Sequence, residues 1–275
     1  MNNPFPWFGS KARLSKWIIN LMPNHEGYAE LFGGTGSVLL RKPPSKIEIF
    51  NDINNGITNF FSVVRDNTKT KILKKKLLLT PYNERDFHLF KDGWKNQQND
   101  VEKAFQWYYV AQLSFSGIWS KGPRFALESQ ASSVPATIQM YLSSIDNLEL
   151  LYNRIRNVQI LNRDWKKCFN LCNSKDFLIY LDPPYIPATR IDGFYPNEMS
   201  PENHEELVDK IVDSKAMIIL SGYGHSIYDD LLKNKWKKIT KEVRATCSHD
   251  VSGFARKGIR TECLYFNNRI SKILT

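Results

Sequence analysis

The chain has 275 residues, a net charge of +10 and 42% hydrophobic residues, which suits one large α/β domain or a core domain carrying an insertion. No apolar run is long enough to cross a bilayer, and the opening MNNPFPWFGSK lacks the apolar core of a secretory signal, so a cytoplasmic protein is expected. Four cysteines (Cys168, Cys172, Cys247 and Cys263) make no disulfide framework, and the spacing of the first two is not of zinc type, so free thiols are expected.

Charge is unevenly spread. Residues 65–125 carry 12 basic and 6 acidic side chains and residues 225–275 carry 11 and 5, whereas residues 126–224 carry 9 and 13. A basic periphery around an acidic centre suits a polyanion held beside a pocket. A solvated basic surface accounts for the same counts equally well.

In chain order, the expected strands are GYAELF (27–32), IEIFND (47–52), VQILNRD (158–164), DFLIYLD (176–182), AMIILSG (216–222), KKITKEV (237–243) and ECLYFN (262–267). Most are short apolar runs bounded by turn residues, as in a sheet covered on both faces. Helical patterns separate them. INNGITNFFSVVRDN puts Ile57, Phe60, Phe61 and Val64 on one face, and SPENHEELVDKIV opens with Ser200 as N-cap and Pro201 in the first turn. Alternating β and α units predict a doubly wound, mainly parallel sheet. The alternation breaks over residues 66–157, where helical patterns flank SFSGIWSKGPRF, so an inserted, mostly helical domain is expected there, with residues 1–65 and 158–275 forming the core.

AELFGGTGSVLL (29–40) runs from a strand through a glycine turn into a helix. Gly33, Gly34 and Gly36 permit backbone approaches that side chains would block. The spacing is not GxGxxG, and no Lys-Ser/Thr makes a phosphate loop. Asp52 ends the next strand, where a carboxylate can accept both hydroxyls of a ribose; an exposed strand-end acid is the plainer alternative. A ribose without a phosphate requirement suggests S-adenosyl-methionine, with Trp7 walling the cofactor and Lys11 meeting its carboxylate.

The stretch IYLDPPYIP places Asp182, Pro183, Pro184 and Tyr185 at the carboxyl end of a buried strand, where such folds bind ligands. Asp182 and the Pro183 carbonyl can hold both hydrogens of an amine, and neither proline offers a competing N–H. Tyr185 can stack on the attached ring for roughly 1–3 kcal/mol. On this reading the ring of Tyr185 matters more than its hydroxyl. A rigid loop after a strand is the competing explanation.

Taken together, PWFGSK, AELFGGTGSV, NDIN (51–54), LNRDW (161–165), LDPPY, GFYPNEMSPENHEEL and RTECLYFN resemble, in order, the motifs of DNA adenine methyltransferases of the Dam type. Ser10 stands where that family's first motif has its second glycine. The resemblance covers nearly the whole chain. It implies a seven-stranded methyltransferase core, an inserted target-recognition domain, and methyl transfer from S-adenosyl-methionine to the 6-amino group of a flipped adenine in double-stranded DNA, with no metal and no membrane. It also implies Glu30, Phe32 and Asp164 as further cofactor contacts, and Tyr195 as a DNA contact. Trp119, Lys121 and Arg124 of the insertion's loop are candidate DNA contacts by position, and surface residues with one aromatic packed inward are the equal alternative. A prokaryotic or phage-type, DNA-associated protein, with or without a restriction partner, is expected. The GATC-reading members carry an Arg-Tyr-Asn hairpin ending in Asn-Val-Pro where this chain has SFSGIWSKGPRFAL, so GATC specificity does not follow. A methyltransferase for RNA or a protein amide, and a catalytically silent DNA-binding protein, are the rival expectations. His204 and His249 are expected to be structural or surface residues rather than catalytic ones.

Overall fold

The computed structural model describes residues 1–125, 134–186, 198–244 and 259–271. Seven strands, β1 (Gly27–Glu30), β2 (Ile47–Asn51), β3 (Gln159–Leu161), β4 (Phe177–Leu181), β5 (Met217–Tyr223), β6 (Lys237–Arg244) and β7 (Ile259–Phe266), form one sheet in the order β3-β2-β1-β4-β5-β7-β6. Each overlaps a strand expected from the sequence. The pairs β2–β3, β1–β4 and β4–β5 are parallel, while β7 runs antiparallel to both β5 and β6. Strands β4 and β5 are buried along nearly their whole length, which explains their unbroken apolar runs.

The chain divides into two compact units, one of Met1–Met22 and Gly33–Cys168, the other of Pro23–Phe32 and Phe169–Thr275. In the first, Asn54 caps α2 (Asn55–Val64) by accepting the N–H groups of Gly56 and Ile57, a cap of about 1 kcal/mol. Ile57, Phe60, Phe61 and Val64 of that helix are all buried. Helices α3 (Asn67–Leu78), α4 (Glu84–Gly93), α5 (Asp100–Leu113), α6 (Ala136–Asp146) and α7 (Leu148–Ile155) follow before β3. Apart from one isolated bridge between Ser114 and Pro123, no strand pairing is found among the described residues of 66–157.

Helix α5 is buried over most of its surface because α2, α3 and α4 all pack on it. Gly56 makes the α2 contact close: a Cβ there would fall 2.1 Å from the Trp107 indole. Phe60 stacks on Tyr108 with ring centroids 4.6 Å apart. Before β2, the buried Lys42 and the half-buried Arg154 both pair with Glu48, at 2.9 and 2.6 Å. Burial alone would raise the Glu48 carboxyl, but the hydrogen bonds from Arg154 and Lys42 outweigh it and hold the group below its ordinary range.

In the second unit, Ser200 caps α9 (Pro201–Val212) by accepting the Asn203 N–H, with Pro201 in the first turn, as the sequence predicts. His204 is buried, and its Nδ1 lies 2.7 Å from the Tyr228 hydroxyl. His249 and Cys247 lie outside the described residues. The other three cysteines are free and buried. No helix among the described residues is long and apolar enough to cross a membrane.

Candidate active site

In the first unit the glycine turn and Asp52 are held together largely by backbone bonds. The Gly33 N–H donates to the Asn51 carbonyl at 2.8 Å and the Gly36 N–H to the Gly33 carbonyl at 2.8 Å, closing the turn. Gly34 and Gly36 adopt φ of 51° and 64°, the left-handed region that favours glycine. A Cβ on Gly33 would lie 2.2 Å from the Phe50 ring, so the glycines answer to both conformation and space.

Asp52 is fixed by this turn. Its Oδ2 accepts the Gly34 N–H and its Oδ1 the Asn54 N–H, both at 2.8 Å. Burial pushes the carboxyl up to about 6, against those two bonds, which favour the charged form. A partly desolvated carboxylate with both oxygens anchored is a strong acceptor for hydroxyl donors. The segment before α8 (Trp165–Cys172) is laced to the same place. The Asn51 amide donates to the Arg163 carbonyl and its oxygen accepts the Arg163 N–H, at 3.1 and 3.0 Å. The Asn162 amide donates to the carbonyls of Asp52 and Ile53. Asp164 caps α8, its Oδ1 accepting the Lys166 N–H at 2.8 Å.

The N-terminal segment is stapled to the glycine turn as well. A Cβ on Gly34 would lie 3.5 Å from the Trp7 ring. The Ser10 hydroxyl lies 2.9 Å from that of Ser37, and Arg41 donates to the Asn3 side chain and the Ser37 carbonyl. Lys11 is buried, with its ammonium 3.5 Å from the Gly9 carbonyl. The residues that sequence reading assigned to the cofactor in this unit (Trp7, Lys11, Gly33, Gly34, Gly36, Asp52 and Asp164) thus sit on segments tied to one another. They supply an aromatic face, a cation, hydroxyl acceptors and an open backbone, a donor set that fits a nucleoside bearing an amino acid.

The second unit holds the acid-proline corner. Glu30, at the end of β1, is buried and accepts the Tyr28 hydroxyl at 2.8 Å. Its backbone partner in β4 is Tyr180. Past Leu181 the chain turns through Asp182, Pro183 and Pro184, and Tyr185 is buried again. The Ser221 hydroxyl, from β5, donates to Asp182 Oδ1 at 2.9 Å and lies 3.0 Å from the Tyr180 hydroxyl. A carboxylate only accepts, so Ser221 spends its one proton on Asp182 and Tyr180 must donate to Ser221. The direction of the whole chain follows from that first bond.

Tyr185 does more than present a ring. Its hydroxyl donates to both Glu262 oxygens, at 3.1 and 3.0 Å, and its ring lies 4.2 Å from that of Tyr223. Arg260 covers Tyr223 in turn, with its guanidinium 5.6 Å from the ring centroid and a 3.1 Å bond to the hydroxyl. Sequence reading found none of Tyr180, Ser221, Tyr223 or Glu262, and it gave no chemistry to SGYGHS. The one signal available was register: Leu181 of β4 pairs with Leu220, which puts the next residues, Asp182 and Ser221, side by side.

Among residues 66–157, Trp119 is half-buried against Trp94 and Trp107, with ring centroids 6.1 and 6.0 Å away. Lys121 is exposed and Arg124 half-buried. The Arg124 N–H donates to the Leu113 carbonyl at 2.7 Å and its carbonyl accepts the Tyr82 hydroxyl. Tyr195 lies outside the described residues. No cluster of metal-ligating side chains occurs among the described residues.

A seven-stranded α/β sheet, a glycine turn with a strand-end acid, and an acid-proline-proline-tyrosine corner define a methyltransferase core. The family model of the D12 class N6 adenine-specific DNA methyltransferases matches residues 7–249, and the chain belongs to that family: it is an adenine-specific DNA methyltransferase. A type II methyltransferase of Lactococcus lactis subsp. cremoris is 27% identical over 245 residues, covering 83% of each chain. A DNA adenine methylase of Haemophilus influenzae is 25% identical over 252 residues, covering 88% of this chain and 82% of its own. The DNA adenine methylase of Escherichia coli is 20% identical over 263 residues, covering 92% of this chain and 91% of its own.

Proposed function

We infer that the protein transfers a methyl group from S-adenosyl-methionine to the 6-amino group of an adenine flipped out of duplex DNA at a defined sequence. One observation supports this most strongly: Asp182 is oriented by Ser221 beside two residues that lack an N–H, with a stacked tyrosine next in the chain. When bound, the cofactor supplies an electrophilic sulfonium methyl. Asp52 would accept the ribose hydroxyls, Trp7 would wall the cofactor, Lys11 would meet its carboxylate and Asp164 would approach its adenine; Glu30 and Phe32 are the further contacts that the motif resemblance implies. Asp182 and the Pro183 carbonyl hold the two amine hydrogens, which withdraws the nitrogen lone pair from the ring and aims it at the methyl. Asp182 then stands at the proton that the methylated amine must lose. Positioning of this kind supplies most of the catalysis.

A base stacked in duplex DNA cannot reach such a corner, so the adenine is extruded first. Residues 66–157 serve as the target-recognition insertion, with Lys121 and Arg124 contacting phosphate. Trp119, packed between two tryptophans, shapes that loop from inside. The test is to incubate duplex DNA with the protein and labelled S-adenosyl-methionine and to sequence the methylated adenines. One short recurring sequence bearing N6-methyladenine is expected. Label appearing instead in RNA or protein, or nowhere, would overturn the proposal.

A further inference from the structure

We propose that the cross-strand pair Tyr223–Glu262 is a socket that locks the catalytic tyrosine, making Glu262 and Tyr223 positioning residues for base engagement. This rests on the reading of Asp182–Tyr185 as the adenine site. Tyr223 of β5 and Glu262 of β7 are register partners in an antiparallel pair, so their side chains leave the sheet on the same face. Tyr185 meets both members of the pair. Its ring packs on Tyr223, tilted by 31°, and its hydroxyl reaches across to both Glu262 oxygens.

Glu262 is 2% exposed. A carboxylate this deeply buried must be compensated by donors, and the tyrosine hydroxyl is one that meets both of its oxygens. The ring is therefore held at two points, by one face and by its far tip. Rotation about either side-chain torsion would break one of the two contacts. Tyr223 packs on one ring face, so a base that stacks on this ring would meet the opposite face, against a ring whose orientation is already set. Binding then loses no rotamer entropy at this side chain, which is the advantage of a preorganised contact. Arg260 extends the arrangement behind Tyr223, with its guanidinium over that ring.

The socket makes the hydroxyl of Tyr185 matter, against the expectation that its ring alone is needed. Tyr185→Phe keeps the ring but takes the hydroxyl's bonds away from the buried Glu262. Glu262→Gln keeps an acceptor for the hydroxyl and removes the charge. The experiment measures single-turnover methyl transfer and KM for DNA for Tyr185→Ala, Tyr185→Phe, Glu262→Gln and the Tyr185→Phe/Glu262→Gln pair, with cofactor affinity and melting temperature as controls. Tyr185→Phe should slow transfer about tenfold, the value of one hydrogen bond to a charged group. Glu262→Gln should cause a smaller loss, and the double variant should be faster than Tyr185→Phe alone, because the buried carboxylate that lost the hydroxyl is replaced by a neutral amide. That rescue, at unchanged cofactor affinity, is not expected of a merely structural contact. If Tyr185→Ala is inactive while Tyr185→Phe runs at the wild-type rate, the socket is overturned and the adenine site stands. If Tyr185→Ala itself runs at the wild-type rate, the adenine site is overturned and the socket with it.

Discussion

The glycine turn and the acid-proline corner solve the same problem, fixing a carboxylate, by different means. Asp52 is held by two backbone N–H groups from residues within 18 positions of it in the chain. Asp182 is held by a hydroxyl 39 residues away, which is itself bonded to a tyrosine on the strand before the corner. Only proline removes a backbone donor, whereas many substitutions remove a side-chain donor. Outside its glycines, the first region should therefore tolerate side-chain changes around its acid, and the second should not.

Asp182→Ala gives the largest contrast. It should lower single-turnover methylation by roughly a thousandfold while cofactor affinity, measured by titration calorimetry, stays near wild type. Retained turnover would show that the corner is only a loop. Asp52→Ala should do the reverse, weakening the cofactor roughly ten- to a hundredfold through lost charge-assisted hydrogen bonds.

Acidity offers a gentler probe of the same acid. Burial raises Asp52 to about 6, so the folded protein binds its proton more readily than the unfolded chain does. Ionised Asp52 consequently costs stability above pH 6, and that cost is relieved as pH falls from about 6 to 3.8, the ordinary value of the group. Ribose hydroxyls prefer the ionised acceptor, so the sign for binding is opposite. Cofactor affinity should be flat from pH 8 to 7 and decline below about 6, and the pH response in that window should vanish in Asp52→Asn. An unchanged response in that variant would assign the titration to another group.

Ser221→Ala comes next, with a loss of about tenfold in transfer rate that Ser221→Thr restores. Tyr180→Phe should cost less, since Ser221 still donates to Asp182, and should add nothing to Ser221→Ala. Lys121→Ala and Arg124→Ala have the smallest effect: each should reduce the slope of log affinity against log salt by about 0.9. Unchanged slopes would return both residues to the solvated surface.

The same division explains what could be read from sequence. Gly33, Gly34, Gly36 and Asp52 declared themselves because local backbone geometry demands those residue types near one another. The four residues 182–185 did so because an acid, two missing donors and a ring are adjacent in the chain. Their supports did not. Ser221, Tyr223 and Glu262 reach the corner only through the registers of β5 and β7, and a lone serine or a strand glutamate carries no periodic signal. Strand existence was legible in all seven cases, in most of them from short apolar runs bounded by turn residues. The antiparallel setting of β7 between β5 and β6 was not, because apolar patterning is blind to strand direction.

The account turns on separable tasks for the two acids, and saturating cofactor separates them. Single-turnover methylation of a mapped DNA site should be followed for Asp52→Ala and Asp182→Ala as S-adenosyl-methionine is raised to saturation. The Asp52→Ala rate should climb to near the wild-type plateau, while Asp182→Ala stays flat at its low value. A plateau for Asp182→Ala that reaches wild type, or one for Asp52→Ala that never rises, would contradict the division.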